Sequence, residues 1–374
     1  MKILYGVQGT GNGHLSRARA MAGAFQQFPE LDVQWLFSGR AQESFFAMEA
    51  FGDYWWREGL TFAHKAGKID QLATVRQLNL PRLLTDIRTL PVEDFDLVIS
   101  DFEPVTAWAA KKQKRPSLGL GHQYAFDFSI PTPPFGWAAR AIMKMFAPVQ
   151  VGLGMHWHHF SQPILPPIAQ THEAAEQAAD NDQDFVLVYL PFEHHAALLH
   201  QLAQIKQRFI VYGLPVDLPK ADHITLKTPS VDGFRRDLAA AKAVICNSGF
   251  ELIAETLTLG KPILTRPLQG QFEQEANALA LQELRLARVV KHFDAVTISR
   301  WLAEHPRGVH INWPDVATAI AGWIADGRRD SPQQLAQSLW EGVMPALATA
   351  QQGTPQQAAK GKSGMRDIKG SETS

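Results

Sequence analysis

Residues 246–277, CNSGFELIAETLTLGKPILTRPLQGQFEQEAN, constrain the fold more than any other stretch of this chain. They read as strand, tight turn, helix, strand and polar loop. Val244, Ile245 and Cys246 close an apolar run, and Asn247, Ser248 and Gly249 are residue types that turn a chain and open a helix. Ser248 and Glu251 have the spacing of a capping box. Phe250, Ile253, Ala254 and Leu257 then recur at helical spacing, and Gly260 with Pro262 supplies the stop. A helix that starts at the end of a parallel strand presents free N–H groups and positive dipole, enough to hold a diphosphate without a metal. Glu255, one turn beyond Glu251, is placed to accept ribose hydroxyls. Gln269, Glu273, Gln274 and Asn277 follow the next strand, and their donors and acceptors suit the hydroxyls of a sugar. The plainer alternative is an ordinary βα unit in which Glu251 only caps.

The start of the chain repeats the theme. An apolar run at 3–7 leads into Gln8-Gly9-Thr10-Gly11-Asn12-Gly13-His14, then Leu15, Ala18, Met21, Ala22 and Phe25 at helical spacing. A dinucleotide fingerprint would need glycine where His14 stands. The second strand, 33–37, ends in Ser38-Gly39-Arg40 rather than in an acid for an NAD ribose, so Arg40 leaves only an NADP reading. A strand at 95–100 puts Asp101 at its carboxyl end, where α/β sites lie. The alternative role for Asp101 is N-cap of a helix at 104–114. A strand at 118–121 ends at His122, which then faces the same side.

The chain has 374 residues, enough for two domains at roughly 150 residues each. At 45% hydrophobic and 20% charged it has ample core, and a net charge of −1 gives no field that would draw nucleic acid. The single cysteine, Cys246, excludes a disulfide framework, fits a reducing cytosol and reads as a core residue. The opening runs straight into a strand, so no signal peptide is expected, and no apolar run approaches the ~20 residues of a membrane span. His156, His158 and His159 fall in a stretch, 152–160, that reads as a strand without Cys or carboxylate nearby, so no metal and no cofactor is expected.

The G-x-G-x-G-H turn and the 246–277 segment together resemble the two loops of GT-B glycosyltransferases. The pattern is most similar to the bacterial N-acetylglucosaminyltransferase of the lipid-linked peptidoglycan precursor and its uncharacterised relatives. The resemblance implies an α/β fold of two Rossmann-like domains facing each other across a cleft. It implies that Gly11, Asn12 and Gly13 form an acceptor-side loop with His122 as a further acceptor contact or second base. It also implies that Asn247, Ser248, Gly249 and Phe250 hold the diphosphate, Glu255 the ribose, and Glu273, Gln274 and Asn277 the sugar. His14 and Asp101 match the base and its orienter in the plant and antibiotic-tailoring members. The loop from Gln269 is one residue shorter than in the peptidoglycan enzyme, and Glu273 replaces an amide, so the sugar is left open. The implied reaction moves a sugar from a nucleotide-sugar, UDP-linked, to a hydroxyl, with inversion and without metal. The acceptor implied is lipid-linked or a cell-envelope glycan, met in the cytoplasm at the inner face of the membrane. Rival readings are a UDP-sugar epimerase of the same fold, an NADP oxidoreductase and a non-catalytic sugar-nucleotide sensor.

The expected organisation is an acceptor domain at 1–160, a Pro- and Ala-rich linker at 161–184, and a donor domain at 185–330. A helix at 331–349 would return to the first domain, and a disordered tail would follow at 350–374. Pro229-Ser230-Val231 and Phe234 lie where such enzymes seat the base. Residues 131–160 mix Phe135, Trp137, Ile142, Met143, Met145 and Phe146 with Arg140 and Lys144. Buried packing is the favoured reading of that helix; contact with an anionic membrane is the alternative. Lys65, Lys68, Arg76, Arg82 and Arg88 read as solvated helix faces.

Overall fold

Short apolar runs alternating with helices build two parallel sheets. The computed structural model describes residues 1–60, 64–65, 68–69, 79–134, 136–169 and 183–344. The first sheet takes β1 (Lys2–Gln8), β2 (Asp32–Ser38), β3 (Trp55–Trp56), β6 (Leu97–Asp101), β7 (Ser117–Gly121) and β8 (Val151–Gly154). Between β3 and β6 lies a small antiparallel ribbon, β4 (His64–Lys65) with β5 (Lys68–Ile69). The second sheet takes β9 (Gln183–Tyr189), β10 (Arg208–Tyr212), β11 (Ile224–Lys227), β12 (Ala241–Asn247), β13 (Ile263–Arg266) and β14 (Arg288–Val289). The strand orders are 3-2-1-6-7-8 and 11-10-9-12-13-14, so both sheets reverse direction beside their first strand. Ligands of such sheets bind beyond the strand ends at that reversal. Every pairing within the two sheets is parallel.

The helices, in chain order, are α1 (Asn12–Phe25), α2 (Leu80–Thr89), α3 (Pro104–Lys112), α4 (Trp137–Phe146), α5 (His195–Ala203), α6 (Val231–Ala240), α7 (Phe250–Thr258), α8 (Phe272–Glu283), α9 (Ala295–Ala303), α10 (Val316–Ala325) and α11 (Pro332–Trp340). Strands buried on both faces explain the near-continuous apolar runs: Ile3, Leu4, Tyr5 and Val7 are fully buried, as are Val186, Leu187 and Val188. Tyr5 packs on Trp35 with ring centroids 4.5 Å apart, and Phe25 of α1 meets both rings edge-on, which seats α1 over β1 and β2.

The last helices lie against the first half. Gln27 Nε2 on the α1 side donates to Thr318 Oγ1 of α10 at 3.1 Å, and the Trp340 indole of α11 donates to Ile164 O at 2.6 Å. The expected tail at 350–374, residues 170–182 of the expected linker, 345–349 of the expected last helix, Phe135, Arg76 and the side chains of Lys65 and Lys68 lie outside the described residues.

Two local expectations are corrected. The strand expected at 152–160 stops at Gly154. Beyond it, Nδ1 of His156, His158 and His159 accepts from the backbone N–H of Trp157, Phe160 and Ser161, and these local bonds turn the chain out of the sheet. The buried face expected of α4 is absent: no residue of this helix is buried, and Trp137, Ile142 and Met145 are 74%, 58% and 60% exposed. Only its Met143 and Phe146 edge packs inward.

Candidate active site

β1 and β6 are neighbours, with Val7 opposite Asp101, so the glycine turn after β1 lies over the end of β6. That register puts His14, in the first turn of α1, against Asp101 with Nδ1 and Oδ1 2.7 Å apart. Asp101 is fully buried, whereas the His14 side chain keeps 14% of its surface open. Burial alone would push the Asp101 carboxyl up, but the Arg17 guanidinium and His14 beside it hold it below the usual carboxylate range. Asp101 therefore works as an anion. It is not the cap of α3, because Glu103 takes that place and accepts from the N–H groups of Val105 and Thr106.

The opposite wall is the start of α7, which follows β12. The expected capping box does not form. Ser248 Oγ pairs with Thr265 Oγ1 at 3.0 Å, the N-cap moves one residue on to Gly249, and no side chain caps the helix. A Cβ at Gly249 would meet nothing within 4 Å, so there is open space beside the N-cap of α7. Glu251 turns instead toward the other half and accepts from Arg17. The walls are close: a Cβ at Gly13 would stand 2.7 Å from Glu251 Oε2.

The other expected residues divide by what they touch. Asn12 donates to the Tyr189 hydroxyl at 3.3 Å and accepts from Arg40. Asn247 reaches Glu193 and Arg266 O, each at 3.2 Å. Glu255 accepts from Ser16 Oγ at 3.0 Å, and burial pushes its carboxyl up against that bond. Glu273 accepts from Gln123 at 3.1 Å, while Gln269 stands exposed in the loop after β13.

Three expected ligand contacts are occupied within the protein. Gln274 Oε1 accepts from Leu268 N at 3.0 Å, and Asn277 bridges Ser248 O and His122. His122 is wholly buried, stacks on Phe250 with ring centroids 4.2 Å apart and has both ring nitrogens engaged. Burial pushes its pKa down. In place of the expected acceptor contact or second base, His122 is a seam between the two halves. Cys246 is buried, its thiol pushed up to about 12 by burial, which makes it inert. Among the described residues, no group of three or more His, Cys, Asp or Glu is arranged to hold a metal ion.

Residues 1–306 match the family model described as glycosyl transferase family 1. The chain belongs to that family. It is a glycosyltransferase with a GT-B fold. No curated protein matches it in sequence. Among solved structures, the glycotransferase of kitacinnamycin is 14% identical with a TM-score of 0.56, over 94% of this chain and 98% of that one. UGT2 of Phytolacca americana, complexed with UDP-2fluoro-glucose and pterostilbene, is 13% identical with a TM-score of 0.54, over 94% and 98%. A putative UDP-N-acetylglucosamine 2-epimerase from Listeria monocytogenes is 10% identical with a TM-score of 0.56, over 88% and 97%. The glycosyltransferase family membership, not these fold likenesses, sets the reaction class.

Sequence reasoning missed Arg17. A basic residue on an amphipathic helix reads as surface, and the only signal was its place three residues after His14, on the same face.

Proposed function

We propose that this family member transfers a sugar from a UDP-sugar to an acceptor hydroxyl by a single in-line displacement with inversion. The observation that carries the reading is the His14–Asp101 contact of 2.7 Å on one wall, facing the uncapped start of α7 on the other. Asp101 accepts a hydrogen bond from Nδ1–H and stays ionised, and Nε2 takes the proton of the acceptor hydroxyl to give the imidazolium. As the new bond forms between that oxygen and the anomeric carbon, the bond from that carbon to phosphate oxygen breaks and its electron pair leaves with the diphosphate. The N–H groups at the start of α7 meet the developing negative charge, a role an ion need not supply. Glu255 for ribose and the Glu273 region for the sugar remain the assigned contacts, reached if donor entry draws them from their present partners. The epimerase fold likeness offers the second reading, in which the same donor grip works without an acceptor.

We further propose that the acceptor is met at a membrane surface. Exposed Trp137, Ile142 and Met145 on a helix that also carries exposed Lys144 suit an interfacial, anionic lipid layer. Flotation with vesicles containing anionic lipid should carry the protein upward, and Trp137→Glu with Ile142→Glu should leave it at the bottom. Equal flotation of both forms ends this part of the reading. Among the described residues no helix is long and apolar enough to cross a membrane.

Donor class is tested by thermal shift with UDP-, GDP-, TDP- and CMP-sugars; only the UDP-sugars should raise the melting temperature. His14→Ala should keep that shift while losing ~100- to 10,000-fold in turnover. Wild-type turnover in the variant would show that the base is elsewhere.

A further inference from the structure

Arg17 lies on α1 one turn beyond His14 and is 2% exposed. A guanidinium buried so deeply needs acceptors for its donors, and Arg17 finds them on two different elements. Nε and Nη2 reach Asp101 Oδ2 and Oδ1 at 2.9 and 2.5 Å, the two-pronged geometry that fixes a carboxylate in its plane. Nη1 donates to Glu251 Oε1 in the first turn of α7. Nη2 also lies 2.9 Å from His14 Nδ1, two donors brought side by side because both reach the same acceptor, Asp101 Oδ1. Gly121 makes the room: its φ is +144°, and a Cβ there would stand 2.9 Å from Arg17 Nη2. Burial alone would push the guanidinium down, but Asp101 beside it holds it above its ordinary value, so the charge persists.

We infer that Arg17 is the positioning residue of the His14–Asp101 pair, holding the carboxylate square to Nδ1 and tying that alignment to the donor helix through Glu251. With Asp101 Oδ1 fixed, Nδ1 carries the ring proton and Nε2 turns its lone pair toward the acceptor. Without the fork, Asp101 is free to rotate and the ring loses its preference. The tie to Glu251 makes the alignment complete only while α1 and α7 touch. Arg17 acts through Asp101 and meets neither sugar nor hydroxyl. The inference rests on His14 as the base, yet its test needs no turnover.

Long-range proton–nitrogen correlation spectra of the full chain labelled with [15N]histidine report the tautomer of each ring, and His14→Gln assigns the signal. Wild-type His14 should be mainly the Nδ1–H form. Arg17→Gln should shift the tautomer ratio by about tenfold, the scale of one charge-assisted hydrogen bond. Arg17→Lys, which keeps charge but not the fork, should fall between, and Glu251→Gln should shift the ratio least. If Arg17→Gln does not fold, Arg17→Lys and Glu251→Gln decide. A wild-type ratio in every variant that folds overturns the role. A ratio that follows Arg17 in a protein that binds no sugar donor would leave the positioning role standing and bring down the transfer reading. Donor-dependent turnover beside a ring indifferent to Arg17 would do the reverse.

Discussion

α3 and α7 occupy matching places in the two halves, each following the strand that pairs beside the first one, yet their N-termini are finished in opposite ways. α3 is plugged by its own chain. Glu103, fully buried, accepts from the N–H groups of Val105 and Thr106 and from the Ser38 hydroxyl, and Gly6 leaves the space for it. α7 carries Gly249 at the same point and nothing accepts from its first N–H groups through a side chain. The same fold element is therefore capped by a buried carboxylate on one side and left without a side-chain cap on the other. The difference lies in one residue with a carboxylate against one with no side chain.

The sharpest way to break this contrast is to plug α7 as α3 is plugged. Gly249 has φ −74° and ψ 147°, which an aspartate adopts without strain, and there is open space at its Cβ. Gly249→Asp should fold normally and, on the proposed donor site, weaken UDP-sugar binding by at least about 100-fold, since a carboxylate would sit where that proposal puts the diphosphate. Calorimetric titration with a UDP-sugar measures this, and unchanged affinity would remove α7 from the donor site.

The converse change unplugs α3. Glu103→Gln should cost about 1–3 kcal/mol in urea unfolding at pH 5, because its amide N–H groups would face buried donors. Burial raises the Glu103 carboxyl above its ordinary value, so the folded state holds its proton more tightly than the unfolded chain. The stability this contributes is fully present below the unfolded value and is lost as pH rises through the folded one. The gap between wild type and variant should therefore narrow as pH rises from about 4.5, the opposite of a salt-bridged acid. A gap that widens with pH would mean Glu103 folds as a stabilised anion.

The readable parts of the site were those written in local sequence. The glycine turn before His14, and the apolar run, turn and helix around Gly249, announce their geometry within a dozen residues. The His14–Asp101 pair needed more, because Asp101 lies 87 residues further on, and only the family pattern joined them. Arg17 was invisible because what buries it comes from 84 and 234 residues away. The capping-box reading of Ser248 failed for a related reason: Thr265, on the next strand, offered its hydroxyl a better partner, and the helix began one residue late. α4 erred the other way. Its apolar face looked like core, and no periodicity could reveal that the rest of the fold leaves Trp137 uncovered.

The end of the chain returns to the first half, where α10 meets α1 and the Trp340 indole of α11 reaches Ile164 O. At the site the halves are also joined by Arg17–Glu251, Ser16–Glu255 and His122–Asn277. Drawing the halves apart at the site would break these bonds together, the charged Arg17–Glu251 pair between α1 and α7 among them.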